Sequence, residues 1–124
     1  MAALFLDTNV LVFATTGRER NAANLVFSSD YELVTNEYAI KEMRRILLHT
    51  VNMSQEDIGL AVDRIRQYCR VLPSPNVEAC RKIIIDDHSD RPIVAGAIEA
   101  HATLLTFDHK LRVQAKMYVE TATP

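Results

Sequence analysis

Two aspartates each come directly after an apolar run, near opposite ends of the sequence. Asp7 ends the run at residues 2–6, and the run at residues 103–106 ends at Phe107 and Asp108. Short apolar runs bounded by polar residues are typical of buried parallel strands. Because parallel strands end at one edge of the sheet, where open α/β folds bind ligands, the two carboxylates are predicted to lie close together.

Two further acids are predicted to reach the same edge from helices. Asp90 precedes an almost wholly apolar helix at residues 93–98, which leads into the last inner strand. The N-terminus of that helix therefore belongs to the same edge. Glu42 lies on the helix after the second strand, one residue before Met43, which is predicted to be buried. Four carboxylates thus form the candidate catalytic constellation.

Crowded carboxylates point to a metal ion. Each raises the pKa of its neighbours unless a cation compensates the repulsion. Oxygen ligands without clustered histidines or cysteines favour a hard cation, Mg²⁺ or Mn²⁺. One or two such ions held by carboxylates activate water and stabilise an in-line phosphoryl displacement. The predicted chemistry is metal-assisted phosphodiester hydrolysis.

Each acid also has a simpler structural interpretation. Asp7, Asp90 and Asp108 are all well placed to cap helices, and Asp90 has Pro92 in the first turn of its helix. Glu42 taken alone is a half-exposed helix residue or a partner for Arg44 or Arg45. Asp86 and Asp87 are interpreted as solvated loop acids. The predicted convergence of four acids is what favours a functional site.

The elements that must position these acids alternate between strand and helix along the chain. Strands are predicted at five places: residues 2–6, 33–35, 71–72, 103–106 and near 117–119. Between them lie amphipathic helices, including one capped by Asn21, one that begins at Asn36, and one from Asn76 to about Ile85. This alternation predicts an α/β fold with a mostly parallel sheet of about five strands, covered on both faces.

Composition limits the class of protein. The 124 residues are predicted to form a single domain, 1–124, with 48% hydrophobic and 24% charged residues. No apolar run reaches the roughly 20 residues needed to cross a bilayer, and no signal peptide is recognised, so we expect no membrane association. Cys69 and Cys80 have no metal-type spacing and are predicted to be reduced thiols in a cytoplasmic protein. A net charge of -2 excludes binding to polyanions by bulk charge.

The ordered set of motifs resembles the PIN-domain ribonuclease family, which includes VapC-like toxins of type II toxin–antitoxin pairs. The resemblance covers essentially the whole chain and rests on four segments. They are Leu-Asp-Thr-Asn-Val-Leu at residues 6–11, Ala-Ile-Lys-Glu-Met at 39–43, Asp-His-Ser-Asp-Arg-Pro-Ile at 87–93, and Leu-Leu-Thr-Phe-Asp-His-Lys-Leu at 104–111. It implies a three-layer α/β/α sandwich, Rossmann-like, with an acidic pocket that binds one or two Mg²⁺ or Mn²⁺ ions and cleaves RNA.

The resemblance also implies a role for each residue of the pocket. Asp7 and Asp90 would be the principal metal ligands, Asp108 would complete the site, and Glu42 would act through a water or a second ion. Thr106 would help to fix the pocket, and Asn9 would orient Asp7 through a hydrogen bond. A homodimer and a cognate antitoxin are the partners that it implies besides RNA.

Basic residues near these motifs are candidate RNA contacts. They are Arg18, Arg20, Lys41, Arg44, Arg45, Arg91, Lys110 and Arg112. Phosphates around the pocket would be their ligands. The alternative for each is a solvated helix face or an ion pair within one helix, and the sequence contains no base-stacking motif.

Two competing functions remain open. An aspartate-nucleophile phosphatase of the haloacid-dehalogenase class would also begin with a strand and an aspartate. That class has a second acid two residues later, where this chain has Asn9, which argues against it. The other alternative is a non-catalytic PIN-fold module that only binds a partner protein.

Overall fold

The computed structural model describes residues 3–124 and contains one parallel sheet in this part of the chain. Its strand order is β3-β2-β1-β4-β5, and every neighbouring pair is parallel. The strands are β1 Ala3–Leu6, β2 Glu32–Asn36, β3 Arg70–Leu72, β4 Thr103–Leu105 and β5 Thr121–Ala122. The predicted parallel sheet is confirmed; Ala2, at the start of the first predicted strand, lies outside the described residues.

Helices cover both faces of the sheet, so the fold is a three-layer α/β/α sandwich. They are α1 Thr8–Thr16, α2 Arg20–Ser28, α3 Glu37–His49, α4 Gln55–Tyr68, α5 Val77–Arg81, α6 Arg91–Glu99 and α7 His109–Ala115, with a 3-10 turn at His88–Asp90. Right-handed crossovers place α1–α4 on one face and α5–α7 on the other. Within residues 3–124, no helix combines the length and the apolar character needed to cross a membrane.

The core lies on both sides of the central strands. Phe5 of β1 and Leu104 of β4 are completely buried. On α3, the predicted stripe Ile40, Met43 and Leu47 is buried, as its i, i+3, i+7 spacing requires. Since this stripe fixes the rotation of α3 about its axis, it also determines where the neighbouring Glu42 points.

Helix α6 approaches the sheet unusually closely at Gly96. A Cβ atom on this glycine would stand 2.5 Å from Cζ of Phe5 and 2.6 Å from Nδ2 of Asn36. Both neighbours are themselves completely buried, so neither has room to retreat. Glycine is therefore required for α6 to pack against β1 and β2, and this packing sets the position of Asp90 at the start of the helix.

The predicted helix from Asn76 to about Ile85 is wrong beyond Arg81. Its last three residues are isoleucines whose burial alternates: Ile83 and Ile85 are buried, and Ile84 is 79% exposed. The Ile84 backbone N–H donates to the Tyr118 hydroxyl, not to a carbonyl four residues earlier. A run of β-branched residues has low helix propensity, and here tertiary partners hold the segment outside a helix.

The predicted last strand and the predicted Asn21 cap are also wrong. The backbone N–H groups of Tyr118 and Val119 both donate to the Ala115 carbonyl, so residues 117–119 form a turn after α7. The fifth strand follows at Thr121–Ala122, too short to leave an apolar pattern. Helix α2 begins at Arg20, which places Asn21 inside its first turn, where it is not the cap.

We expect Gly96→Ala to lower the free energy of unfolding by about 2 kcal/mol, because the new methyl group overpacks a rigid site. Gly59→Ala on α4 is the matched control, since no atom lies within 4 Å of its added Cβ. Removing a helical glycine there should stabilise the protein by about 0.5–1 kcal/mol. Urea denaturation measures both values. Equal effects of the two substitutions would contradict the close packing of α6.

Candidate active site

All four predicted acids line one cavity of about 200 Å³ at the carboxyl edge of the sheet: Asp7, Glu42, Asp90 and Asp108. They come from four different elements, as their places after strands and on helices predicted. The structure thus brings together residues that are up to 101 positions apart in the chain (108 − 7). A second, smaller cavity of about 160 Å³ shares Asp90 and Asp108 with the first.

Two of these acids are helix caps as well as cavity residues. Asp7 Oδ1 accepts a 2.6 Å hydrogen bond from the Thr8 backbone N–H at the start of α1. Asp108 Oδ1 accepts a 3.1 Å hydrogen bond from the Leu111 N–H in α7. The capping interpretation and the functional interpretation are therefore compatible, because a cap at the end of a parallel strand necessarily lies at the ligand-binding edge.

The predicted cap at Asp90 is wrong. Asp90 occupies the residue before α6, but its backbone is helical (φ −87°, ψ −7°) and its side chain makes no capping hydrogen bond. Side-chain capping requires an extended backbone at that residue. The preceding 3-10 turn supplies the helical geometry, and Asp87 caps that turn by accepting from the Ser89 N–H at 3.0 Å. The Asp90 carboxylate is consequently free of any capping bond.

Glu42 lies on α3 with its side chain 29% exposed, and Arg45 Nη2 stands 2.7 Å from its Oε2 atom. The ion pair within one helix, which is the simpler interpretation of Glu42, is therefore present. It coexists with a place for Glu42 in the lining of the acidic cavity.

Thr106 links the two strand-end aspartates. Its side chain is completely buried, and its hydroxyl donates a 2.6 Å hydrogen bond to Asp7 Oδ2. The same Oγ1 atom accepts from the Asp108 backbone N–H at 3.1 Å and from Asn9 Nδ2 at 3.3 Å. One hydroxyl thus orients both carboxylate-bearing segments.

Asn9, predicted to orient Asp7 by hydrogen bonding, makes no hydrogen bond directly to the Asp7 carboxylate. Asn9 instead donates to Thr106, and its Oδ1 accepts a long 3.4 Å hydrogen bond from the Phe107 N–H. The Asn9 amide therefore supports Asp7 indirectly, through the Thr106 hydroxyl. The difference arises because the Thr106 hydroxyl bonds to both side chains and stands between them.

Asn36 performs the corresponding task for the other two acids. At the end of β2 its Oδ1 caps α3, which carries Glu42, by accepting from the Ala39 N–H at 3.0 Å. Its Nδ2 donates at 3.1 Å to the Pro92 carbonyl in the first turn of α6. The sequence predicted the cap, but the second bond joins residues 56 positions apart and leaves no local signal.

Burial and repulsion raise the pKa values of the two most enclosed acids. The pKa of Asp7 lies above its ordinary value of 3.8, chiefly because burial disfavours its charged form, although the Thr106 and Thr8 hydrogen bonds oppose this. Burial also raises the pKa of Asp90 to about 7, and Asp7, Asp87, Asp108 and Glu42 add repulsion. The site therefore holds negative charge at a cost that a cation would remove.

Sequence reasoning missed several residues of the cavity. Asp87, interpreted as a solvated loop acid, is exposed but lines the acidic cavity together with Ser89. Tyr38 lies one helical turn before Glu42, and its hydroxyl donates to the Ser89 carbonyl at 2.6 Å, which holds the 3-10 turn against α3. The four-residue spacing between Tyr38 and Glu42 was the signal that could have identified the tyrosine.

The carboxylate oxygens of the cavity suit a hard cation, but the side chains are not oriented towards one common metal position. Within residues 3–124, no three His, Cys, Asp or Glu side chains stand ready to hold one metal ion together. Their charge and oxygen chemistry nevertheless fit Mg²⁺ or Mn²⁺. Since Asp90 has no capping bond and Glu42 is paired with an exposed arginine, both carboxylates are free to turn towards an ion.

The candidate RNA contacts are dispersed. None of the eight lines the 200 Å³ acidic cavity, and only Lys110 lines the smaller one. Lys110 Nζ stands 3.0 Å from Asp86 Oδ2, and Arg112 donates at 2.8 Å to the Thr106 carbonyl. Arg18 and Arg20 are exposed beyond the end of α1, and Arg91 is partly buried beside Asp90.

The remaining three candidate RNA contacts lie together on α3. Lys41, Arg44 and Arg45 line a separate cavity, which Glu42 also lines.

Comparison with solved structures finds the same fold in toxin–antitoxin proteins. VapBC2 from Rickettsia felis, solved with a DNA fragment from its promoter, matches with a TM-score of 0.76 at 14% identity, over 98% of both chains. VapBC-1 from nontypeable Haemophilus influenzae matches with a TM-score of 0.70 at 19% identity, over 98% of this chain and 97% of that one. VapC20 of Mycobacterium tuberculosis, described as a sarcin–ricin loop cleaving toxin, gives 0.68 at 17% identity, over 94% of this chain and 97% of that one.

A comparison with curated proteins found no match to this sequence. A model of the PIN domain family, by contrast, matches residues 5–122. This match runs from the end of β1 to the end of β5 and contains all four acids of the cavity. The chain therefore belongs to the PIN domain family.

Proposed function

We propose that this protein is a divalent-metal-dependent endoribonuclease. The observation that carries the proposal is the convergence of four carboxylates from separate elements on one cavity, where the pKa of Asp90 is raised to about 7. Such a site is costly to the metal-free protein, and helix capping by Asp7 and Asp108 does not explain why Asp90 and Glu42 lie beside them. Membership of the PIN domain family and the fold shared with an RNA-cleaving toxin support the assignment.

Asp7 and Asp90 would be the principal ligands of Mg²⁺ or Mn²⁺, with Asp108 completing the site and Glu42 acting through a water or a second ion. Bound ions of this kind supply an activated water and stabilise charge on a phosphate. Thr106 holds Asp7 in place by donating to its Oδ2, which leaves the carboxylate oriented before any ion arrives. Asn9 holds the threonine hydroxyl in turn.

We infer further that the protein is the toxin of a toxin–antitoxin pair and acts in the cytoplasm. Its fold is shared with the VapBC complexes from Rickettsia felis and Haemophilus influenzae. Cys69 and Cys80 are free thiols, which fits a reducing compartment. An antitoxin and a second copy of the chain are the protein partners that we propose.

The two alternative functions, a non-catalytic binding module and an aspartate-nucleophile phosphatase, explain fewer features of the site. A non-catalytic binding module has no need for four acids crowded at one cavity. A phosphatase would use Asp7 as a nucleophile and form a phospho-aspartate, but position 9, where that class has a second acid, carries an amide. The nuclease accounts for more of the geometry than either alternative.

Cleavage of a mixed RNA pool tests the proposal. With Mg²⁺ or Mn²⁺ present, we expect the wild-type protein to cleave RNA. Asp7→Asn or Asp90→Asn should lose at least about 100-fold in rate, because each removes a ligand of the ion that activates water and stabilises charge on the phosphate. Asp63→Asn, an exposed change on α4, should cleave at the wild-type rate. Full activity of the two site variants would contradict the assignment, and a wild-type protein inert with either metal would favour the binding module.

We expect Asp90→Asn to stabilise the metal-free protein. Because folding raises the pKa of Asp90 from 3.8 to about 7, ionisation is costly in the folded state, and that cost develops as the pH rises through this range. Discounted for partial solvent screening, the gain at about pH 8 should be roughly 2 kcal/mol. It should vanish below about pH 3, where the carboxyl is protonated in both the folded and the unfolded state.

Urea denaturation in EDTA at several pH values measures this difference. Asp63→Asn should show no comparable pH-dependent gain, since its side chain is exposed. Destabilisation by Asp90→Asn at about pH 8 would contradict the electrostatic account of the cavity.

Thr106→Val preserves shape and removes the hydroxyl. The change leaves Asp7 Oδ2, Asn9 Nδ2 and the Asp108 N–H without their common partner, so we expect a loss of roughly 1–3 kcal/mol in stability. Calorimetry should also find weaker Mn²⁺ binding, since Asp7 is no longer oriented. Thr106→Ser retains the hydroxyl and should restore most of the Mn²⁺ affinity. Equal Mn²⁺ binding by the valine variant and the wild type would show that Thr106 has only a structural role.

A further inference from the structure

A cavity of about 320 Å³ lies between α3 and the first turns of α4, next to the acidic cavity. Glu42 lines both, so the two cavities are neighbours across this one side chain. The volume of this second cavity falls at the lower end of the range of small-molecule sites. It differs from the acidic cavity in charge and polarity.

Positive charge is concentrated around this second cavity. Lys41, Arg44 and Arg45 supply this charge, and they share one side of α3 with His49, which also lines the cavity. Glu42 is its one acidic lining residue within the described chain. Because the whole protein carries a net charge of -2, this local excess of basic groups departs from the overall balance and favours an anionic ligand.

The floor of the cavity is apolar. Leu48 of α3 is half-buried, and Ile58 of α4 is 2% exposed, and both contribute to the lining. A site made only for inorganic phosphate has no use for such a surface. Cations around an apolar floor suit a ligand with a phosphate and a flat, weakly polar ring.

Arg45 stands at the junction of the two cavities. Its Nη2 is 2.7 Å from Glu42 Oε2, while the arginine side chain is still 61% exposed. An exposed pair of this kind contributes little to stability, so the guanidinium can exchange Glu42 for another anion at low cost. Arginine is also well suited to bind phosphate through two parallel N–H groups.

We propose that this basic cavity binds a nucleotide of single-stranded RNA next to the phosphodiester that enters the acidic cavity. Lys41, Arg44 and Arg45 contact the phosphate, and Leu48, packed beside the buried Ile58, contacts the face of the base. The inference rests on the proposed function, because it takes RNA as the substrate. It adds the direction in which the RNA strand leaves the cleavage site, across Glu42 and along α3.

Salt-dependent RNA binding tests this site separately from cleavage. Fluorescence anisotropy with a short, labelled single-stranded RNA is measured in an Asp90→Asn background with Mg²⁺, so that the RNA stays intact. The cavity variant is the double substitution Lys41→Gln with Arg44→Gln. Its control is Lys82→Gln with Lys116→Gln, which removes the same charge from exposed positions just after α5 and α7.

We expect the cavity variant to bind RNA about tenfold more weakly than the control. The slope of log affinity against log salt should fall by about 0.7 for each phosphate that the variant no longer neutralises. Leu48→Ala should weaken binding without changing that slope, and Leu60→Ala, at a 62% exposed position on α4, should do neither. Urea denaturation of each variant confirms that it is folded.

Three outcomes would overturn the proposal: equal binding by the cavity and control variants, no RNA binding by the background protein, or displacement of RNA by an acidic peptide as readily as by unlabelled RNA. The last would indicate a protein ligand. Absence of RNA cleavage by the wild-type protein would contradict the proposed function alone, since the binding comparison does not depend on turnover.

Discussion

The structure depends on two polar side chains buried at strand ends. Thr106 and Asn36 are both completely buried, and a buried polar group must find hydrogen-bond partners. Thr106 finds them in the segments of Asp7 and Asp108, and Asn36 finds them in α3 and α6. The requirement to satisfy two side chains therefore draws together all four acid-bearing elements.

This arrangement sets like charges against one another. Burial and, to a lesser extent, repulsion from the neighbouring acids raise the pKa of Asp90 to about 7. The apolar core must hold the carboxylates together in spite of this repulsion. Gly96 contributes directly, since only a glycine lets α6 approach Phe5 and Asn36 closely enough to bring Asp90 to the cavity. Packing along the helix thus supports an electrostatically unfavourable site, a common compromise where function sets the placement of charged groups.

The sequence predicted most of what depends on local pattern. A carboxylate at the end of an apolar strand marks the functional edge of a parallel sheet, so Asp7 and Asp108 could be placed without a structure. Tertiary partners decided where the sequence-based predictions failed. The Ile84 N–H bonds to Tyr118 outside a helix, Asn9 bonds to Thr106, and the 3-10 turn gives Asp90 a helical backbone that does not cap α6. The second hydrogen bond of Asn36 links residues 56 positions apart, which no local pattern encodes.

The proposed function requires the acidic cavity to bind a divalent cation through Asp7 and Asp90. Anomalous diffraction from crystals grown with Mn²⁺ is the decisive test, because it locates manganese without reference to activity. We expect an anomalous peak in the acidic cavity, contacting the carboxylates of Asp7 and Asp90, and no such peak in crystals of Asp90→Asn. A fully occupied manganese ion elsewhere on the protein, with the acidic cavity free of anomalous signal, would contradict this expectation.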